Sequence, residues 1–520
     1  MPSPSGPRSR SRAGEPGRVG SSSPAKARVC AYAVLRRVFE QGAYADLALR
    51  AEARELDARD RALAMRLAYG AVQRKGTLDY LIERLAERPL KRLDAHVLAA
   101  LRLGLYELLY LGGAPDHAVV ADAVELAKSG RGGHGLVNAV LRRATREGRA
   151  LLAELDDSTP KAAALMHSHP EWVARLWWEQ LGAEDTRALL AFDNEPAELA
   201  LRVNTLVAEP ASVAAQLLAE TGVESAGTAG ACLPASVETV IRTGSERLPA
   251  SADPRPVRTH RDPRIPEALV LEGPWDVHGS PQWRSGAVLA QSRGAMLPAR
   301  ALAPQPGERV LDLCAAPGGK TTHLAALMGG RGEVVAVERN PRRAAELRRT
   351  VERLRAQECV RVVLGDAAQP LPGEAPFDRV LVDPPCSGLG TLQARADLRW
   401  RIEPGDLAQL ARTQAAILAA GAAAVRPGGV LVYSTCTISA TENEHQISAF
   451  LASHRDFALE DLGAELPDLR LAIGRRTGTA ERPGGRVGSV GAHAIEGRCV
   501  LTLPHRDRTA GFFIARLRRQ

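Results

Sequence analysis

Two thiols and one turn of small residues carry the chemistry this sequence offers. Cys386 ends the run Leu381-Val382-Asp383-Pro384-Pro385-Cys386, and Cys436 follows Val432-Tyr433-Ser434-Thr435. Each stands just past a short apolar run of the kind that forms a buried parallel strand. If those runs are neighbouring strands, both thiols leave the sheet at one edge. The turn is Cys314-Ala315-Ala316-Pro317-Gly318-Gly319-Lys320, between a strand pattern at Arg309–Leu313 and a helical one at Lys320–Leu327. Small residues let backbone amides approach a ligand closely, and a helix start favours an anionic or carboxylate group.

The spacing within the turn selects its ligand. A phosphate-binding loop needs glycine at position 314, where Cys314 stands, and Ala316-Pro317-Gly318 breaks the dinucleotide fingerprint. S-adenosylmethionine remains, a ligand with a carboxylate, a ribose and an adenine. Glu338 ends the second strand pattern, where an acidic group can accept both ribose hydroxyls. Asp366, past the third, is placed to accept the adenine amino group.

A thiol beside a methyl donor points to methylation of carbon. An exocyclic amine has a lone pair and needs no covalent help, whereas carbon 5 of a pyrimidine is not nucleophilic. Thiolate addition to carbon 6 makes carbon 5 enamine-like and able to attack a methyl sulfonium. Asp383, near ring nitrogen 3, can stabilise that adduct, and a second thiol can help release the product. Spacing alone leaves open which cysteine attacks. Cys30, Cys232, Cys359 and Cys499 read as small buried apolar residues, and no C-x-x-C pair suggests a metal site.

The elements that must position these groups alternate. Strand patterns at Arg309–Leu313, Glu333–Val337, Val360–Leu364, Arg379–Val382 and Gly429–Tyr433 are separated by helical ones at Lys320–Leu327, Pro341–Arg355 and Pro404–Val425. A further helix fits Glu442–Ser453, and two more strands fit Arg498–Leu503 and Gly511–Leu517. This predicts an α/β, doubly wound, Rossmann-like domain with ligands at the strands' carboxyl ends, over residues 286–520. Upstream, residues 26–150 are helical at spacings of three and four, with Val97–Leu111 apolar nearly all round, and predict an all-α bundle. Residues 160–285 predict a small helical plus α+β domain with a strand at Leu199–Val203. Segments 243–268 and 473–491 read as surface loops.

Composition sets the outer bounds. The chain has 520 residues, 45% hydrophobic and 25% charged, which excludes a wholly disordered chain and a small disulfide scaffold. No apolar stretch is long enough to span a bilayer. Lys plus Arg number 68 against 60 Asp plus Glu, a net charge of +8. The lysines are only Lys26, Lys75, Lys91, Lys128, Lys161 and Lys320, so the positive charge is nearly all guanidinium, which suits a phosphate-rich partner. Residues 1–25 are basic, rich in Ser and Pro, and lack the apolar core of a secretory signal. They are expected to form a disordered arm on a cytoplasmic protein.

The motifs C-A-A-P-G-G-K-T-T, D-P-P-C-S-G-x-G and Y-S-T-C-T, with Thr441-Glu442-Asn443-Glu444 directly downstream, resemble the Sun/Nop-type RNA cytosine-5 methyltransferases. The likeness runs from about His169 to the C-terminus and includes Leu201-Arg202-Val203-Asn204, Asp397-Leu398-Arg399-Trp400 and Gly511-Phe512-Phe513. The bundle, with Val119–Val124 and Val137–Arg143, looks like the NusB RNA-binding fold. Together they are similar to the RsmB-like members, which act on small-subunit ribosomal RNA. The resemblance implies that Cys436 is the nucleophile, that Cys386 assists release, and that residues 314–320, Glu338, Asp366 and Asp383 line an S-adenosylmethionine site. It implies that Lys320 faces the base, that the partner is RNA, and that the protein is monomeric and uses no metal. Two departures stand out: Gln291-Ser292-Arg293-Gly294-Ala295 varies on Gln-Asp-x-Ala-Ser, and Ala510 replaces an Asp before Gly-Phe-Phe.

Overall fold

The computed structural model describes residues 24–221, 258–272, 275–370, 376–469, 495 and 497–520. The arm, Cys232 and the 473–491 segment lie outside them. Seven helices, Lys26–Gln41, Ala45–Glu52, Ala58–Gln73, Lys75–Ala86, Ala95–Tyr106, Asp116–Ala127 and His134–Ala153, form the N-terminal bundle. Their apolar stripes meet at Leu35, Leu67, Leu78, Leu81, Ile82 and Leu101, all fully buried. Ala95–Tyr106 is the central helix expected from its unbroken apolar character, and it runs on through one wide turn at Glu107–Leu111. Within this core Arg102 is tolerated because Asp79 meets its guanidinium twice, at 2.7 and 3.0 Å.

A small antiparallel sheet follows. It comprises β1 (Leu199–Val203), β2 (Arg258–Asp262), β3 (Ile265–Glu272) and β4 (Val288–Ala290), in the order β2-β3-β1-β4. This corrects the reading of 243–268 as a surface loop: its residues from 258 onward pair in a hairpin, and 243–257 lie outside the described residues. The Pro- and Arg-rich composition hid the hairpin because its charges serve the turn. Asp262 accepts the backbone N–H and the guanidinium of Arg264 at 3.0 and 2.9 Å, while alternate residues of β3 face the core.

The large sheet holds β5 (Arg309–Leu313), β6 (Glu333–Glu338), β7 (Val360–Leu364), β8 (Phe377–Val382), β9 (Val425–Thr435), β10 (Phe457–Leu459), β11 (Val500–Leu501) and β12 (Phe513–Arg519). Its order is β10-β12-β9-β8-β5-β6-β7, with β11 on β12. Strands β5 to β9 are parallel, and β12 runs antiparallel to β9. The chain leaves β5 toward β6 and returns on its other side at β8, so the order reverses at β5, where open α/β sheets bind ligands. Helices cover both faces. Leu311, Leu313, Val380 and Val382 pack on one side, and Val310, Val334, Leu381 and Val432 on the other. Near the C-terminus the strands fall short of or overrun the expectation. Arg498–Leu503 narrows to β11, and β12 starts only at Phe513. Gly511 instead lies against Gly390, where a Cβ would come within 2.2 Å of the Gly511 carbonyl oxygen.

The bundle docks through Asp397-Leu398-Arg399-Trp400. Arg399 is fully buried and donates to the carbonyls of Ser168 (3.0 Å), Asp193 (3.0 Å), Leu392 (3.2 Å) and Gln73 (3.3 Å) and to Asn194 Oδ1 (3.1 Å). Trp400 donates its indole N–H to Val72 at 2.8 Å, and the Lys75 ammonium lies 4.8 Å from its ring.

Candidate active site

The small-residue turn leaves β5 by a left-handed step at Cys314 (φ 65°), passes the cis Ala316–Pro317 bond, and reaches Gly318 at φ 104°. A side chain at 318 would be strained by that φ, and its Cβ would press to 2.8 Å from Leu347. The helix Gly319–Leu327 then begins, with its first N–H groups at the sheet edge. Ala315 donates its N–H to Val337 at 2.9 Å, tying the turn to β6. Beneath it Asp312 accepts the Thr321 hydroxyl at 2.6 Å, and burial pushes its carboxyl up to about 7. The Cys314 thiol is pushed up to about 12 by burial, with Asp383 adding to it, so Cys314 has no thiolate to offer.

The turn is held from the small domain. Arg202 on β1 is fully buried and donates to Thr322 Oγ1 (2.7 Å), to Gln291 Oε1 (3.0 Å) and to the Gly319 carbonyl. Gln291 in turn donates to the Ala295 carbonyl at 2.9 Å, so the variant Gln-Ser-Arg-Gly-Ala segment still supports the turn.

The acidic groups divide by environment. Glu338 ends β6, buried, and accepts the Asn340 N–H at 2.8 Å, with Arg343 3.5 Å from its other oxygen. Asp366 is exposed past β7, and its carboxylate accepts the Ala368 N–H at 3.0 Å as a turn residue does. Asp383 joins three elements: Lys320 donates to it at 2.7 Å and Ser434 at 2.9 Å. Burial opposes the charge on Lys320, but the carboxylate of Asp383 outweighs it and the ammonium is held above its usual range. The same ammonium lies 5.0 Å from the Phe512 ring.

The two thiols meet. Cys386 Sγ and Cys436 Sγ stand 3.3 Å apart, past the ends of adjacent strands β8 and β9. The hydrogen-bond contact with Cys386, in which either sulfur can be the donor, lowers the Cys436 thiol below its ordinary value, and Lys320 and Arg395 pull the same way. The Cys386 thiol lies well above its ordinary value, because of the same contact with Cys436 and because it is buried. The surroundings of the pair favour an anion at Cys436 over one at Cys386. Cys30, Cys359 and Cys499 are buried in other parts of the fold.

Residues that sequence reasoning left without a role surround the pair. Glu442 accepts from Ser387, Gln414 and Thr437. Asn443 accepts the Thr435 hydroxyl at 2.5 Å and donates to the Thr437 carbonyl at 2.9 Å. Both belong to the Thr-Glu-Asn-Glu run, which the sequence marks as part of the family motif without giving its residues a role. Among the described residues no His/Cys/Asp/Glu group is arranged to hold a metal ion, and no helix is long and apolar enough to cross a membrane.

Known proteins share this arrangement. The family described as 16S rRNA methyltransferase RsmB/F matches residues 299–518, the NusB family matches 25–146, and the ferredoxin-like domain of RsmF/B-like methyltransferases matches 169–235. A "Probable ribosomal RNA small subunit methyltransferase B" of Synechocystis is 36% identical, with 95% of this chain and 99% of that protein covered. A protein of the same name from Bacillus subtilis is 33% identical over 94% and 97%. Among solved structures, PH0851 superposes with a TM-score of 0.71 at 25% identity, covering 95% of this chain and 99% of that one. A methyltransferase homologue from Pyrococcus horikoshii shares the fold, with a TM-score of 0.52 at 24% identity over 70% and 99%. A NusB bundle, a ferredoxin-like domain and a two-thiol α/β domain in this order place the chain in the ribosomal RNA small subunit methyltransferase B family.

Proposed function

We propose that this enzyme transfers a methyl group from S-adenosylmethionine to carbon 5 of a cytosine in small-subunit ribosomal RNA, through a covalent bond to Cys436. The observation that carries the reading is the thiol pair at 3.3 Å, set beside a helix start built from small residues. A methyltransferase acting on nitrogen has no use for two converging thiols.

The donor set at the turn suits the methyl donor. Residues 314–320 offer backbone amides for its carboxylate, Glu338 an acceptor pair for ribose hydroxyls, and Asp366 and Asp383 further acceptors around it. When bound, S-adenosylmethionine supplies an electrophilic methyl group. Cys436 adds to carbon 6 of the cytosine; the new carbon–sulfur bond opens the 5,6 double bond and leaves carbon 5 electron-rich. Lys320 and Asp383, paired at 2.7 Å, face the electron-rich ring and stabilise it from the nitrogen 3 side. Once carbon 5 is methylated its proton must leave to a base, the double bond re-forms, and the Cys436 thiolate departs. Cys386 assists that last step from its place beside Cys436.

A base paired in a helix does not reach this edge, so the target lies in a loop or is flipped out. The bundle over residues 26–150, the small domain over 160–285 and the guanidinium-rich surface grip the RNA backbone. The protein works as a cytoplasmic monomer. Sequencing bisulfite-treated ribosomal RNA from cells lacking the gene tests the reading: one protected cytosine becomes convertible. Mass spectrometry of nucleosides methylated in vitro showing an amino-methylated base would sink it.

A further inference from the structure

The residues that directly follow the two thiols, Ser387 and Thr437, converge on one buried carboxylate. Glu442 is 0% exposed. Its Oε1 accepts the Ser387 backbone N–H at 2.8 Å and Gln414 Nε2 at 3.0 Å. Its Oε2 accepts the Ser387 hydroxyl at 2.5 Å, and the Thr437 hydroxyl stands 3.3 Å away. The Ser387 and Thr437 hydroxyls are 2.7 Å apart, so they form one relay running from the Cys436 loop through the Cys386 loop to the carboxylate. Gln414 also donates to the Pro385 carbonyl at 3.0 Å, and the Tyr433 hydroxyl donates to the Glu442 carbonyl at 2.6 Å. The groups that meet the carboxylate are all neutral. Burying a carboxylate is costly unless its lone pairs are filled, and here they are filled almost wholly by the two thiol loops and their supports.

We propose that Glu442 is a positioning residue for the thiol pair: it clamps the two cysteine loops at their 3.3 Å separation and confines the shared proton to Cys386, leaving Cys436 as the nucleophile. The charges around the pair are asymmetric in the required sense. Lys320 from the cofactor helix and Arg395 from the loop after Cys386 favour an anion at Cys436. Glu442 and Asp383 disfavour one at Cys386, and the buried Tyr433 phenol beside it is held well above its ordinary value and stays neutral. Asp383 also acts against the Cys436 anion, so beyond the contact between the sulfurs and their burial, the charges that separate the thiols are Glu442 on one side and the two cations on the other.

The inference builds on the proposed roles of the two cysteines, but its first readout, the labelling of the thiols, needs neither RNA nor methyl donor. The full-length chain is alkylated with iodoacetamide over a pH series spanning the ordinary thiol range, and the Cys386 and Cys436 peptides are quantified by mass spectrometry. In the wild type Cys436 labels first and Cys386 stays protected. In Glu442→Gln the Cys386 midpoint falls, the Cys436 midpoint rises, and the labelling preference drops about tenfold, the change that one unit of thiol acidity produces. The kcat for RNA falls by a similar factor, with KM and S-adenosylmethionine affinity changed less than about twofold. Ser387→Ala, which removes the relay and keeps the carboxylate, gives an intermediate shift and serves if Glu442→Gln does not fold. An unchanged labelling preference in either soluble variant overturns the proposal. So does a loss of preference that comes with equal loss of S-adenosylmethionine binding, which would make Glu442 a general fold residue. A wild type that labels as stated but methylates no carbon 5 would defeat the proposed function and leave this inference standing.

Discussion

The thiol edge and the bundle junction are both dense hydrogen-bonded regions around a loop of the same segment, residues 383–401, yet they are built on opposite logics. At the thiol edge, side chains meet side chains: Lys320 with Asp383, Ser434 with Asp383, Cys386 with Cys436, Ser387 with Glu442. At the junction one side chain, Arg399, gathers four backbone carbonyls and one amide oxygen from the bundle, the region that follows it and its own loop. The first region tunes charge and proton position. The second measures the relative placement of chain segments, because a carbonyl oxygen reports where the backbone is. On the proposed reading, chemistry is thus confined to one end of the segment and the placement of the bundle is tied to the other.

The sharpest division between the regions concerns covalent chemistry. Cys436→Ala is expected to abolish methylation and any RNA–protein adduct while S-adenosylmethionine binding persists; residual turnover would show that the thiol edge is not where the reaction occurs. Cys386→Ala is the next largest effect. It should let the adduct form and stall, seen as a slow-migrating, nuclease-sensitive band on a denaturing gel, with turnover reduced by about a hundredfold or more, the scale of a lost acid–base group. A stalled adduct in the Cys436 variant instead would exchange the two roles.

The same contrast explains what was legible in the sequence. The turn at 314–320 and both thiols follow strand patterns within a few residues, so local grammar put each at a strand's end, and the adjacency of β8 and β9 brings the two thiols to one edge. Parallel strands buried on both faces also read clearly as apolar runs. The hairpin of β2 and β3 did not, because Asp262 and Arg264 look like a solvated loop until they pair with each other. β10 is three residues long and takes its register from β12, a partner about sixty residues away in the chain. Arg399 and Glu442 sat inside motifs that were noticed, but their partners are backbone groups and residues of other elements, and no periodicity records those. Asp366 shows the converse: its position was evident, and the structure gives its carboxylate a turn's N–H.

At the junction the expected effect is intermediate in size and of a different kind. Burial lowers the Arg399 guanidinium to about 10, against the pull of Asp193, and that value still leaves it charged at neutral pH. Arg399→Met keeps the bulk and strands the carbonyls. It should destabilise the full chain by about 3 kcal/mol, as loss of charged, buried hydrogen bonds does. Denaturant unfolding should show the bundle separating before the α/β domain. Kinetically, KM for RNA should rise while the thiol labelling pattern of Cys436 stays that of the wild type. An altered labelling pattern would erase the distinction between the two regions.

The smallest effect tests what the regions share. Asp193 at the junction and Asp312 under the cofactor turn are each buried and pushed up to about 7 from an ordinary value of 3.8. A carboxyl whose folded value is raised binds its proton more tightly in the folded chain. Its stabilising contribution is therefore complete below about pH 4 and is lost as pH rises toward 7, at a slope of up to about 1.4 kcal/mol per pH unit for each group. Asp312→Asn and Asp193→Asn should each flatten part of that decline in thermal unfolding scans between those pH values. In Asp312→Asn the amide oxygen can still accept from the Thr321 hydroxyl, so that variant should keep S-adenosylmethionine affinity, whereas Asp193→Asn should alter only stability and RNA affinity. Equal losses of S-adenosylmethionine binding in both would mean that the cofactor turn and the junction respond as one cooperative unit, and the separation argued from their hydrogen bonds would fail.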